Sequence, residues 1–156
     1  MRFFQRRRKG GPQGPSSQTA GHQSHLKILL AEDNSVDVEC MKAALEGLHL
    51  PHELTIADNG ETAREYLLTS GSGFDLVLLD VHLPRLSGLQ VLHDVPDFER
   101  LPVCLVTGTP IDSSRLKRLF HIRKLNCITK PVDPEKLRNC FRAYTHLRRF
   151  MSADVS

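Results

Sequence analysis

Short apolar runs that break off at a polar or charged residue recur along this chain, and they limit its fold more than any other feature. KILLA (27–31) stops at Glu32-Asp33, LVLL (76–79) at Asp80, and VCLV (103–106) at Thr107-Gly108. A strand that is apolar on both faces belongs inside a parallel sheet covered by helices on either side. The intervening sequence supplies those helices. Asn34 or Ser35 can cap one, in which Val36, Cys40, Met41, Ala44, Leu45 and Leu48 form an apolar face at helical spacing. After Pro51, HELTIA (52–57) alternates like a half-buried strand, and Asn59-Gly60 turns into a helix over about 61–69 with a stripe of Ala63, Tyr66 and Leu67. A short helix at 88–94 is cut off by Pro96. Another runs over about 113–123, and a brief strand at 127–129 ends at Lys130-Pro131. Asp133-Pro134 reads as an N-cap with proline at N1, opening a last helix that buries Leu137, Cys140, Phe141, Tyr144 and Leu147. These five βα units predict an α/β fold: a doubly wound five-stranded parallel sheet with a single reversal of strand order, and five helices.

Length and charge set the limits of that unit. A chain of 156 residues holds one ordinary domain. At 40% hydrophobic and 25% charged it has a globular mixture, and no apolar run approaches the ~20 residues of a membrane span. The net charge of +3 is concentrated in Arg2, Arg6, Arg7, Arg8 and Lys9, and the rest of the chain is slightly acidic. Residues 10–25, rich in glycine, proline, serine and glutamine, have almost nothing to bury. The expected organisation is a disordered basic leader at 1–25, a folded domain at 26–150 and a tail at 151–156. Cys40, Cys104, Cys127 and Cys140 show no C-x-x-C spacing and are expected as reduced, buried thiols in a cytoplasmic protein.

In a doubly wound sheet, ligands bind beyond the carboxyl ends of the strands. Those ends carry Glu32-Asp33, Asp80, Thr107-Gly108 and Lys130. Each group alone has an ordinary explanation. The acidic pair can favour a helix N-terminus, Asp80 can form a turn, Thr107 can cap, and Lys130 can be a solvated base. Together, within two residues of four strand ends, they make a crevice with three carboxylates, a hydroxyl and an ammonium. Three carboxylates repel one another and suit a divalent cation with oxygen ligands, and Mg²⁺ fits that set. The lysine and hydroxyl can hold further phosphoryl oxygens, and one aspartate can act as nucleophile.

The motifs AEDN, LLDVHLPRLSG, VTG and TKP, in this order over about residues 27–147, resemble the receiver domain of two-component response regulators. HELTIADNG, LPV and the asparagine-cysteine before the fifth strand are similar to single-domain regulators partnered with bacterial phytochromes. The resemblance implies a flavodoxin-like sheet with strand order 2-1-3-4-5 and Asp80 as phosphoacceptor, with Asp33 on Mg²⁺ directly and Glu32 mainly through water. It further implies the His82 backbone carbonyl as a metal ligand, Thr107 and the Gly108 N–H on the phosphoryl group, and Lys130 ion-paired with it. The bond from Lys130 to Pro131 is often cis in that family. The implied donor is a sensor histidine kinase, a bacterial phytochrome among the candidates, or a histidine phosphotransfer protein.

Two positions depart from the family pattern. Cys127 stands where an aromatic switch residue is usual, so signalling is expected to pass through the backbone loop. His82, two residues past the acceptor, would border the water path to an acyl phosphate, unless it is simply an exposed loop histidine.

Basic residues crowd the fourth helix (Arg115, Lys117, Arg118, Arg123, Lys124) and the last (Arg138, Arg142, Arg148, Arg149). They mark the α4–β5–α5 face as a candidate dimer or acidic-partner surface, against the plainer reading of a solvated charged face. No DNA-binding domain and no membrane contact is expected. Two rival functions remain in view. A haloacid-dehalogenase-like phosphohydrolase commonly needs a second aspartate where His82 stands. A phosphorylation-independent scaffold would lose acid-pair or lysine residues, and none is lost.

Overall fold

The computed structural model describes residues 25–70, 73–96, 101–120 and 125–151. The expected leader lies outside them apart from His25, as do residues 152–156, Arg123 and Lys124. Along the chain run β1 (Leu26–Ala31), α1 (Ser35–Glu46), β2 (His52–Ala57), α2 (Gly60–Ser70), β3 (Leu76–Asp80) and α3 (Gly88–Asp94). They continue with β4 (Val103–Thr107), α4 (Ser113–Phe120), β5 (Leu125–Thr129), α5 (Pro134–Arg142) and α6 (Arg148–Met151). The five strands form one parallel sheet in the order β2-β1-β3-β4-β5. This is the predicted order. Among the described residues, no helix is long and apolar enough to cross a membrane.

The apolar runs are explained by a core on each side of the sheet. Leu29, Ala31, Val77, Leu79, Val103 and Leu105 face one core, closed by Ala63 and Leu67 of α2, Val91 and Leu92 of α3, and Leu116 of α4. Ile28, Leu30, Leu76, Leu78, Cys104 and Val106 face the other, closed by Met41, Ala44 and Leu45 of α1 and Leu137 and Phe141 of α5. Strand side chains alternate between the faces, so a strand buried on both must be apolar at every position. Asn34 supplies the α1 cap, accepting from the N–H groups of Val36 and Asp37. Asp133 caps α5, with Pro134 in its first turn.

Several expectations need correction. Val36 is 68% exposed and Cys40 is exposed, so the buried stripe of α1 is narrower than predicted and runs through Met41, Ala44, Leu45 and Leu48. Val36 and Cys40 lie five and one residues before Met41, about 140° and 100° around the helix from it at 3.6 residues per turn, too far to share its narrow face. Tyr66 is also exposed, leaving Ala63 and Leu67 to seat α2. All four cysteines are free, but only Cys104 and Cys140 are buried, while Cys127 is half-buried. β5 starts two residues earlier than predicted, at buried Leu125, because the polar Asn126 interrupts its apolar signature. A sixth helix, the short α6, follows the predicted five.

Strand register brings the site together. Ala31 pairs with Leu79, Asp80 with Val106, and Thr107 with Thr129. The residues immediately after these rungs therefore emerge side by side at one edge of the sheet. The loop after β3 is drawn tightly under that edge, with the Gly88 N–H on the Val81 carbonyl at 3.0 Å. A methyl group at Gly88 would overlap the Asp80 carbonyl oxygen, so only glycine permits this approach.

Candidate functional site

Glu32, Asp33 and Asp80 each place a carboxylate oxygen within 4.8 Å of the others. Glu32 and Asp80 are buried whereas Asp33 is exposed, so the cluster opens to solvent on one side. Backbone donors fix the two buried acids. Glu32 Oε1 accepts the Asn34 N–H at 3.1 Å, within the turn that caps α1. Asp80 Oδ1 accepts the His82 N–H at 2.8 Å.

Lys130 supplies the cation among these acids. Its Nζ lies 2.7 Å from Glu32 Oε2, 2.7 Å from Asp37 Oδ2 and 2.6 Å from Asp80 Oδ2. An ammonium has three donors, and here each meets a carboxylate. Burial works against its charge, but hydrogen bonds to Asp37, Asp80 and Glu32 outweigh that effect and hold the pKa well above the usual lysine value. Burial raises the Glu32 pKa and neighbouring Asp80 adds to the rise, which the contacts to Lys130 and the Asn34 N–H only partly offset. Three acids share one ammonium, and a fourth, Asp33, stands within the same cluster. The excess of negative charge and the all-oxygen donor set fit a hard divalent cation such as Mg²⁺.

The remaining predicted residues sit around this centre. Thr107 is buried, and its hydroxyl donates to the Thr109 carbonyl at 2.9 Å while accepting the Thr109 N–H at 3.2 Å. Gly108 is exposed at the open strand end. The Lys130 N–H bonds the Thr107 carbonyl at 2.8 Å, tying β5 to β4, and the Lys130-Pro131 peptide is cis. His82 is exposed beside Asp80. Cys127 lies away from the acids, in an open groove of about 310 Å³ with Asn126, Thr129, Lys136, Asn139 and Cys140. Burial raises its thiol pKa.

Sequence reasoning missed Asp37. It lies in the first turn of α1, four residues past Asp33, and its contact with Lys130 spans 93 positions. The available signal was the Asn34 cap, which fixes where the first turn starts and brings that carboxylate over the strand ends.

Comparison with known proteins gives a consistent result. The model of the response regulator receiver domain matches residues 28–142. A 3',5'-cyclic-nucleotide phosphodiesterase, regA, of Dictyostelium discoideum is 33% identical over 118 residues, covering 74% of this chain and 15% of that protein. The response regulator Rcp1 of Synechocystis is 34% identical over an alignment of 88 positions, covering 51% of this chain and 60% of Rcp1. Among solved structures, the bacteriophytochrome response regulator AtBRR is 32% identical with a TM-score of 0.64, covering 77% of this chain and 92% of AtBRR. The chain spans 15%, 16% and 22% of the length of three curated relatives it matches, regA, a histidine kinase and a response regulator of Arabidopsis thaliana.

Proposed function

The chain belongs to the response regulator receiver family, and from that premise we propose that it accepts a phosphoryl group on Asp80 from a sensor histidine kinase and signals by protein contact. The supporting observation is the set of contacts at Asp80. One carboxylate oxygen is held by the His82 N–H and the other lies on Lys130, beside Glu32 and Asp33. Asp80 attacks the phosphorus of a phosphohistidine, forming a P–O bond as the P–N bond breaks and the electron pair leaves with the imidazole. Glu32, Asp33, Asp80 and the His82 carbonyl would hold Mg²⁺, which supplies positive charge to the phosphoryl oxygens. Lys130 and the Gly108 N–H supply further donors, and Thr107 turns its hydroxyl from Thr109 toward the new dianion.

The likeness to the bacteriophytochrome response regulator AtBRR supports a phytochrome-type kinase as donor, with a histidine phosphotransfer protein as the other donor of the same chemistry. Output runs through the loop after Thr107 to α4. There Arg115 and Arg118 are exposed and Leu119 is 66% exposed on a surface suited to a second copy or an acidic partner.

Incubation with acetyl phosphate and Mg²⁺, followed by intact mass spectrometry, tests the acceptor. Wild type should gain one phosphoryl group and Asp80→Asn none. Equal modification of the two proteins would overturn the assignment.

A further inference from the structure

Lys130 touches three acids, but only two of them, Glu32 and Asp80, belong to the cluster that can close around a cation. Asp37 is the third, and it stands outside that cluster. We propose that Asp37 is a positioning residue that keeps the Lys130 ammonium at the rim of the site when Glu32 and Asp80 serve a divalent cation. The inference rests on the proposed function only for the identity of the cation site.

The competition follows from charge. An ammonium 2.6–2.7 Å from Glu32 and Asp80 occupies the carboxylate oxygens a cation needs, and two cations cannot share them cheaply. Lys130 must therefore withdraw from both acids. With no other anion in reach it would be left as an unpaired, four-fifths-buried charge, and cation binding would carry that cost. Asp37 removes the difficulty. Its side chain is 35% exposed against 4% for Glu32 and 6% for Asp80, so it marks the wetter side to which Lys130 can retreat. A cavity of about 20 Å³ lies between α1 and the Lys130–Val132 loop, bordered by Glu32, Asp37 and Lys130. This is about the room one water needs. The Asp37 backbone is fixed, since its N–H is held by Asn34 at the start of α1. The ammonium thus stays within reach of Asp80 instead of leaving for solvent.

A double-mutant cycle read by Mg²⁺ titration calorimetry, without any phosphodonor, tests this role. Asp37→Asn should weaken Mg²⁺ binding about fivefold when Lys130 is present, and less than about twofold in a Lys130→Met background. Asp37→Glu should restore most of the affinity. An equal loss in both backgrounds would mean that Asp37 acts only as a distant negative charge, and an unchanged affinity would mean that it does nothing; either overturns the proposal. Should Lys130→Met fail to fold, the Lys130 ammonium resonance in the Mg²⁺-saturated protein decides instead. It should be protected from exchange in wild type and lost in Asp37→Asn, and equal protection in the two would overturn the proposal. Because no phosphoryl transfer is involved, failure here is separable from failure of Asp80 to accept a phosphoryl group.

Discussion

Two aspartates bracket the same strand and live under opposite conditions. Asp75 precedes β3, where its Oδ2 accepts the Lys27 N–H at 2.9 Å and its carbonyl accepts from His146 Nε2 at 3.2 Å. Arg149 lies 3.6 Å from its other carboxylate oxygen. Asp80 ends the strand, with Glu32 and Asp33 close by and one ammonium shared among several acids. At the amino end the charge is matched by fixed partners. At the carboxyl end charges of one sign are held together by the fold and need something from outside. A strand can therefore serve stability at one end and chemistry at the other.

Neutralising each aspartate in turn separates the two ends of the strand. Asp80→Asn should abolish phosphoryl uptake while leaving the metal-free unfolding midpoint unchanged or higher, because it relieves repulsion among acids. Asp75→Ala should leave uptake intact and cost about 2 kcal/mol of stability, the scale of one hydrogen bond to a charged group plus a weak exposed ion pair. Urea unfolding in chelator, paired with mass spectrometry, reads both. If Asp80→Asn destabilised the metal-free protein as much as Asp75→Ala, the carboxyl end would not be electrostatically crowded.

A smaller effect is expected at Gly88, which ties the loop after β3 to the crowded end. A methyl group there meets the Asp80 carbonyl, and neither backbone can move without disturbing the Gly88–Val81 hydrogen bond. Gly88→Ala should cost about 1–3 kcal/mol, as overpacking does elsewhere. It should also weaken Mg²⁺ binding, because Asp80 and His82 shift with the loop. Thermal unfolding and calorimetry check the two halves. A loss of stability with full Mg²⁺ affinity would show that the loop does not position the acids.

The sheet was readable from sequence because both of its faces are buried, which forces apolar residues at every position of the central strands. The acids at the strand ends were readable for the same reason, as abrupt ends to those runs. Asp37 was not, because its role exists only once Lys130 arrives from the far end of the chain. Helix faces were only partly legible: Val36, Cys40 and Tyr66 have the composition of a buried face but fall to its side. The Thr107 hydroxyl was expected in the crevice, yet its bonds to Thr109 depend on local loop geometry that residue type does not encode.

Tyr144 offers the finest test of the quiet end. Periodicity identified it as a core residue of the last helical face, and it is indeed buried, but its hydroxyl does what an apolar residue cannot. It donates to the Val103 carbonyl at 2.7 Å, tying the last helical segment to the amino end of β4. Burial raises its pKa far above the usual tyrosine value, with neighbouring thiols adding to the effect, so the hydroxyl stays protonated and remains a donor throughout the working pH range. Tyr144→Phe keeps the ring and its packing but removes that bond. The expected loss is about 1 kcal/mol, the typical net value of a hydrogen bond. Mg²⁺ affinity should be unchanged, because the substitution lies at the opposite end of β4 from Thr107. Chemical unfolding and a Mg²⁺ titration measure the two quantities on one sample. A variant of wild-type stability but weakened Mg²⁺ binding would mean that the amino end reports to the site, and the division of labour along the strands would fail.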